Sequence, residues 1–554
     1  MINIQEKTNC CGCTSCAAVC PVNCITMEED NEGFLFAQVD DKKCIDCGAC
    51  ERACPIIHSS EVLADEFKEI FDEPKAIGGW IEDEIVRRDS SSGGAFSLFA
   101  NHILETGGIV FGATICEDLV VRHIGVEKAE DMAKLRGSKY VQSNIGDVYS
   151  RIKSELHKGK NILFSGTPCQ VAGLYSFLGN RKYDNLFTMD FICHGVPSPK
   201  VFCEYLKYIE RKYGSKILSF RFRLKDHKWS PTGLQMGTGI ELANGKYIRN
   251  YPAFSDSFMN GFLDDSYLRD SCYNCKFKCL PKVYADITIA DFWGVTKHYP
   301  ELNDGKGTSL VLINGTHGLD FFDCVKEDFY YKEVDFNKAI QKNQTLIKSA
   351  KQNGRRKNFF KDLQCKSFEF VLLKYMNPIV CGTHKALNIG WNLIQRITKV
   401  IVGFGLTAIN VKWTEDNWNA FFQFVKFAII GMSNVAVSYT INICTLLLQQ
   451  VLVPSFKLDY IVANVTAFII AVLWSFHWNS RKVFNVKKTR QEKFEALMKS
   501  YMSYAFTGLI VNNLLSTFWI HVVGVSKIIT PLLNIPATMP INFFILKKWA
   551  FKRS

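Results

Sequence analysis

Five cysteines fall within the eleven-residue stretch "CCGCTSCAAVC" from Cys10 to Cys20. The stretch reads as C-x2-C-x2-C-x3-C-P on Cys10, Cys13, Cys16, Cys20 and Pro21. The same pattern returns on Cys44, Cys47, Cys50, Cys54 and Pro55. Two-residue spacers wrap the chain around one face of a cluster, so three thiolates bind three irons. The fourth cysteine, three residues on, starts a helix that points to the other cluster. This predicts one 4Fe-4S cluster on Cys10, Cys13, Cys16 and Cys54, and a second on Cys44, Cys47, Cys50 and Cys20. Tetrahedral zinc sites are the alternative, and they do not account for the x3-C-P ending. Cys11 and Cys24 fall outside the motif and read as small buried hydrophobes.

Further thiols lie downstream. Cys272 and Cys275 form a C-x2-C, Cys279 follows, and Cys169 and Cys193 each close a strand-like segment. A third 4Fe-4S cluster is expected on Cys169, Cys193, Cys272 and Cys275, because neighbouring strand ends converge at one sheet edge. Cys279 has only sequence proximity in its favour, and unrelated buried thiols are the plain alternative. Cys203 and Cys324 read as buried small residues. His194, beside Cys193, is a candidate proton donor, with a structural histidine as the alternative.

The elements that must position these residues alternate. "KAIGGWI", "IVFGATIC" and "LVVRHIGV" are strand-like, and "SSSGGAFSLFANHILETGG" is a turn feeding a helix with Phe96, Phe99, Ile103 and Leu104 on one face. "NILFSGTPCQVAGLYSFL" reads as strand, tight turn, helix, and "LFTMDFICHGVPSPKVFCEYLKYI" repeats that grammar, which predicts an α/β layer structure. "SSSGG" and "SGTP" are turns where hydroxyls and amides meet a helix N-terminus, a seat for phosphate or simply a cap. "SFRFRLKDHKW" offers cations and aromatics to an anionic substrate, or forms a solvated strand edge.

Residues 1–58 resemble bacterial two-cluster ferredoxins, with an α+β ferredoxin-like fold. The set "SSGGAF", "RGSKYVQS", "FSGTPCQVAGL", "DFICHGVPSP", "SCYNCKF" and "ADITIADFWG" resembles the family of coenzyme F-420 hydrogenase/dehydrogenase beta subunits over residues 75–365. That resemblance implies an FAD-containing α/β oxidoreductase body fed by iron–sulfur clusters, with the FAD pyrophosphate along Ser92, Gly93 and Gly94 and with Lys139 and Thr167 nearby. It also implies a soluble electron donor or acceptor, deazaflavin coenzyme F-420 as a conceivable ligand, and a role for many bacterial members in cell-surface polysaccharide pathways. Residues 59–74, acidic and helical in pattern, read as a linker.

The last quarter has a different composition. Phe427–Leu448, Tyr460–Phe476, Tyr501–Val525 and Ile528–Leu546 are apolar runs without Asp, Glu, Lys or Arg, which are confined to the connections. Each approaches the ~20 residues that span a bilayer. The basic segment "NSRKVFNVKKTRQEKFEALMK" and the basic end "LKKWAFKRS" predict both termini and the middle loop in the cytoplasm. The start "MINIQEKTN" shows no signal-peptide pattern, so the thiols are expected in the same reducing compartment. "FVKFAIIGMSN" and "YMSYAFTGLIVNN" begin two similar halves. Residues 421–554 resemble the GtrA family, an all-α membrane domain of four transmembrane helices, which implies contact with membrane lipid and polyprenyl-phosphate-linked sugar. Asn434, Asn512 and Asn542 are polar at membrane depth, for function or for bonds between helices. Arg481, Lys482, Lys547 and Lys548 set topology or meet a lipid phosphate. Residues 366–420 read as a linker, with Asn392–Ile409 as an interfacial helix or packed chain.

The bulk numbers agree with a mixed chain. The 554 residues carry 21 cysteines and a net charge of +12, and the mean hydropathy of +0.00 lies between soluble and all-membrane proteins. The positive excess near the C-terminus is read as a positive-inside signal, so no nucleic-acid partner is expected. Together with the resemblances, these numbers lead to the expectation of a multidomain oxidoreductase held at the plasma membrane.

Overall fold

The computed structural model describes residues 2, 6–59, 70–181, 183–226, 229–230, 236–278, 284–377, 398, 413–452, 459–484, 490–525 and 530–551. The chain divides into two compact units, Met1–Ala386 and Leu387–Ser554. The iron–sulfur motifs therefore belong to the same unit as the α/β body.

At the start of the first unit, β1 (Ile25–Glu29) and β2 (Leu35–Val39) form an antiparallel hairpin with Ile25 opposite Val39. Its turn is an Asx turn, in which Asp30 Oδ1 accepts from the amides of Glu32 and Phe34. Short helices Ser15–Ala18 and Ala49–Arg52 lie inside the two cysteine motifs and end before Cys20 and Cys54, so the fourth cysteine follows a helix rather than starting one as expected.

The body is built on an eight-stranded mixed sheet. Its strands are β3 (Ile70–Ile81), β4 (Ile109–Ile115), β5 (Val121–Val126), β6 (Ile162–Gly166), β7 (Leu186–Phe191), β11 (Ile287–Asp291), β12 (Ser309–Gly315) and β13 (Phe329–Val334), in the order β13-β3-β12-β11-β7-β6-β4-β5. A second sheet holds β8 (Ile217–Leu224), β9 (Gly237–Leu242) and β10 (Tyr247–Asn250). β4, β6, β7 and β11 are mutually parallel. β12 opposes both β11 and β3, so β3 runs with the parallel set. The loops that leave β3, β6, β7 and β11 therefore open at one edge, where ligands of open α/β sheets bind. The central strand β12 is buried at every position, as expected of a strand covered on both faces.

The predicted helix after "SSSGG" is Ala95–Glu105, with Phe99, Ile103 and Leu104 buried and Phe96 half-buried. The helices Pro168–Phe177 and Pro199–Tyr213 follow β6 and β7 as the sequence grammar requires.

Several expectations shift. Residues 60–69 of the expected linker lie outside the described residues, but Ile70–Pro74 is strand rather than helix. Pro74 fits there because the β13 ladder ends at Ala76 and the β12 pairing slips between Ile313 and Gly315, so its missing N–H is not needed. Packing also continues past residue 365, since Phe368, Val371, Leu372, Tyr375 and Met376 are buried in one core with Phe220, Phe222 and Ile240. Cys203 and Cys324 are exposed, not buried. In "SFRFRLKDHKW", Phe220 and Phe222 face that core, and Arg223 is buried in a pair with Asp291 at 2.6 Å rather than solvated.

The second unit is helical, with segments Glu415–Leu452, Asp459–Trp478, Arg490–Phe506, Asn512–His521 and Thr530–Ile545 among its described residues. Among the described residues, Asn417–Gln449 is the one helix long and apolar enough to cross a membrane by length and composition. Pro536 and Pro540 lie inside Thr530–Ile545. Asn534 Nδ2 donates to Asn512 Oδ1 at 2.6 Å and Thr507 Oγ1 donates to Asn542 Oδ1 at 2.8 Å, bonds between helical segments. Asn434 Oδ1 is buried with no hydrogen-bond partner among the described residues. Arg481 Nη1 meets His477 Nε2 at 3.2 Å, and Lys547 and Lys548 close the last helical turn. The expected interfacial helix lies outside the described residues.

Candidate functional site

The two cysteine motifs have the same local conformation. Gly12 and Asp46, at matching positions, have φ of 71° and 49°, and Thr14 and Gly48 have φ of 68° and 69°. These left-handed residues turn the chain between successive thiols, and each motif then enters its short helix.

The structure brings Cys10, Cys13, Cys16 and Cys54 together. Burial raises the Cys16 thiol well above its ordinary range, and the nearby Cys13, Cys10 and Cys54 raise it further. Mutual repulsion among neighbouring thiolates is what a bound cationic centre relieves. The second group, Cys20, Cys44, Cys47 and Cys50, lines one cavity together with Cys24. Its sulfurs accept from backbone amides: Ile2 N to Cys50 at 3.3 Å, Cys24 N to Cys20 at 3.3 Å and Asp46 N to Cys44 at 3.4 Å. Cys47 is exposed, so this group faces solvent.

A third set of thiols lies at the shared strand edge. Cys169, Cys193, Cys272 and Cys275 line one cavity with His194, between the ends of β6 and β7. Burial is the main cause of the raised Cys193 and Cys272 thiols, and each also feels Cys169 and Cys275. Cys279 lies outside the described residues. Cys11 is buried, as expected of a small hydrophobe, but Cys13 and Cys169 both raise its thiol pKa and it lines the third cavity. Cys11 therefore joins the first thiol group to the third. Its one sequence signal is its position next to a first ligand in a motif that needs only four cysteines.

His194 lines the same cavity, with its Nε2 at 2.6 Å from Asp265 Oδ1 and its ring edge-on to Phe262 at 5.2 Å. The Asp265 bond fixes the ring while the histidine stays half-exposed.

The groups expected to meet a flavin pyrophosphate are placed at the same sheet edge but are largely engaged. Ser92 Oγ donates to Thr308 O at 2.8 Å, and Gly93 N donates to Ser309 Oγ at 3.0 Å. A Cβ on Gly93 would lie 2.5 Å from Gly79 O, so glycine there serves strand packing. Gly94, with φ of 88°, turns the chain into the helix Ala95–Glu105. Lys139 Nζ donates to the carbonyls of Leu135 at 2.7 Å and Arg136 at 3.0 Å, and burial lowers its pKa to about 7. Thr167 caps the helix Pro168–Phe177 in a capping box with Gln170, and its hydroxyl lies 3.1 Å from Cys169 Sγ. What fits an anion here is narrower than expected. The first-turn amides of Ala95–Glu105 have no intrahelical acceptor, and Arg136 Nε reaches Ser97 Oγ in that turn at 3.1 Å.

Three stretches of the chain are similar to known protein families. Residues 9–56 match a 4Fe-4S dicluster domain, residues 159–339 match the C terminus of the coenzyme F-420 hydrogenase/dehydrogenase beta subunit, and residues 426–551 match the GtrA/DPMS transmembrane domain. Within the redox body, residues 159–339 are similar to the family of coenzyme F-420 hydrogenase/dehydrogenase beta subunits. An uncharacterized protein from Methanocaldococcus jannaschii is 24% identical over 399 residues, covering 64% of this chain and 96% of its own length. A component of the F(420)H(2) dehydrogenase of Methanosarcina mazei is 23% identical over 378 residues, covering 65% and 94%. A chain of the F-420-reducing nickel–iron hydrogenase complex from Methanosarcina barkeri is 16% identical, with a TM-score of 0.33 and coverage of 51% and 93%. The chain is an iron–sulfur protein similar to these beta subunits that carries a membrane-associated GtrA-like domain.

Proposed function

We propose that the chain is a membrane-tethered flavin-dependent oxidoreductase that exchanges single electrons with a soluble carrier and acts on a precursor of a cell-surface glycan. The observation that carries this reading is Cys11, which lies in the dicluster motif, lines one cavity with Cys169, Cys193, Cys272 and Cys275 of the body, and has its thiol pKa raised by Cys13 and Cys169. It leaves no gap between the ferredoxin-type thiols and those at the sheet edge.

The exposed Cys47 group is where a soluble carrier docks. The buried Cys10, Cys13, Cys16 and Cys54 group comes next, and Cys169, Cys193, Cys272 and Cys275 hold a third cluster at the strand edge. The first turn of Ala95–Glu105 and Arg136 orient the flavin phosphates. When bound, a flavin exchanges a hydride at one face and single electrons with neighbouring clusters. His194 donates from Nε2 to Asp265, which orients the ring and leaves Nδ1 as the atom that exchanges a proton with substrate. A deazaflavin is one candidate hydride partner, given the name of the M. mazei relative.

The GtrA-like unit anchors the enzyme by several crossings, with both chain ends in the cytoplasm beside the reduced carrier. Labelling tests the orientation: a Thr489→Cys variant stays unlabelled by an impermeant maleimide on intact cells, and labelling from outside overturns it.

The match to a GtrA/DPMS domain supports a second reading, in which the membrane unit binds or translocates a polyprenyl-phosphate-linked sugar and the redox part is accessory. Cells whose only copy carries Cys47→Ser decide between them. The oxidoreductase reading expects altered glycan composition. Unaltered glycan chemistry with reduced export favours transport.

A further inference from the structure

Among the described residues, the first unit buries the side chains of four arginines. Arg87 pairs with Asp304, Arg223 with Asp291, and Arg356 with Glu32 and Asp270. Arg269, at 1% exposure, is different, because among the described residues it pairs with no carboxylate. Its Nε donates to Cys10 O at 2.8 Å, its Nη1 to Gln142 Oε1 at 3.1 Å, and its Nη2 to Leu35 O at 2.9 Å and to Cys10 Sγ at 3.4 Å. The ring of Phe36 lies 4.3 Å away and that of Phe34 5.4 Å. Gly12 makes room for this approach, since a Cβ there would lie 2.7 Å from Arg269 Nη1 and 2.7 Å from Gln142 Nε2.

A buried cation needs a counter-charge. The neutral carbonyls, amide and rings around Arg269 supply none, which leaves the thiolates. A four-thiolate iron–sulfur cluster is an anion and becomes more negative when reduced. A fixed cation at a ligand sulfur therefore stabilises the reduced form more than the oxidised form and raises the reduction potential. The Cys20, Cys44, Cys47 and Cys50 group differs, since the hydrogen bonds to its sulfurs described above come from backbone amides.

We propose that Arg269 is a positioning residue that acts as the counter-charge of the cluster on Cys10, Cys13, Cys16 and Cys54 and holds its reduction potential up. This rests on the 4Fe-4S assignment of that group. The same guanidinium pins the body to the dicluster module, through bonds to Cys10 and Leu35, at the point where electrons must cross. A raised potential there keeps the electron on the cluster nearest the body.

Redox titration of the anaerobically purified full chain in detergent, followed by electron paramagnetic resonance, tests this. In Arg269→Gln one 4Fe-4S signal moves to lower potential by at least tenfold in its reduction equilibrium, about 59 mV for one electron. The other signals stay in place, and Arg269→Lys recovers part of the shift. Unchanged potentials in an iron-replete Arg269→Gln protein overturn the proposal. If that variant loses iron, protein labelled with 15N-arginine decides, in an Arg52→Lys background because Arg52 lies beside Gly48 of the other motif. A 15N hyperfine coupling to a reduced cluster is expected, and its absence overturns the proposal. Failure of the cluster assignment looks different: no paired 4Fe-4S signals in the wild-type protein at all.

Discussion

Ser15 Oγ donates to the carbonyl of Gly173 at 2.7 Å, joining the first cysteine motif to the helix that follows β6. A Cβ on Gly173 would lie 2.8 Å from both Cys13 Cβ and Ser15 Oγ. The dicluster module thus packs on the body at a position without a side chain. Gly173→Val is expected to destabilise the first unit by about 1–3 kcal/mol through overpacking. It should also slow electron transfer from the module to the body while both retain iron. Thermal unfolding and stopped-flow reduction measure the two effects, and wild-type values for both would show that this contact does not hold the module.

Cys13 and Cys47 occupy the middle of equivalent motifs but differ in burial, at 7% exposure for Cys13 against an exposed Cys47. Cys47→Ser is expected to lose its cluster and leave the body folded. Cys13→Ser is expected to lose its cluster and also loosen docking, because Cys13 lies 3.4 Å from Ser15 Oγ and packs against Gly173 of the body. Iron content with limited proteolysis reads the difference, and retention of all iron by both variants contradicts the ligand sets.

Lys139 gives a pH signature. Burial lowers its folded pKa to about 7 from the ordinary lysine value of 10.5. Between those values the unfolded chain binds more protons than the folded one, so stability rises with pH across the window from about 7 to 10.5. The slope contributed is at most about 1.4 kcal/mol per pH unit. Lys139→Met is expected to flatten the rise of Tm between about pH 7.5 and 9.5, and a parallel rise in variant and wild type counts against the burial argument.

The flavin seat is tested away from Gly93, whose replacement would disrupt the pairing of β3 with β12. Arg136→Gln is expected to hold flavin roughly tenfold more weakly, the equivalent of about 1.5 kcal/mol for one charge-assisted hydrogen bond. Fluorescence of released flavin against protein concentration measures it. Stoichiometric flavin in the variant would move the seat elsewhere.

The parts legible in the sequence are those with a local cause. The spacing of Cys10, Cys13 and Cys16 brings the distant Cys54 with it, because the motif encodes the exchange of its fourth ligand. The strand–turn–helix grammar around Thr167 and Ser198 is readable from cap residues followed by proline. What stays hidden depends on long-range contacts. Nothing next to Arg269 in sequence indicates that it lies against Cys10, and nothing around Cys11 indicates Cys169. Ser92 and Gly93 carry a phosphate-like pattern, but their donors are taken by Thr308 and Ser309, each 216 residues away. Cys203 and Cys324 show the opposite failure, since apolar character alone does not bury them.

The account depends most on a continuous run of three thiol groups, and iron content of the anaerobically purified full-length protein tests it most directly. About twelve irons per chain are predicted, three clusters of four, falling to about eight in Cys193→Ala. About eight irons in the wild type, unchanged by Cys193→Ala, would contradict it.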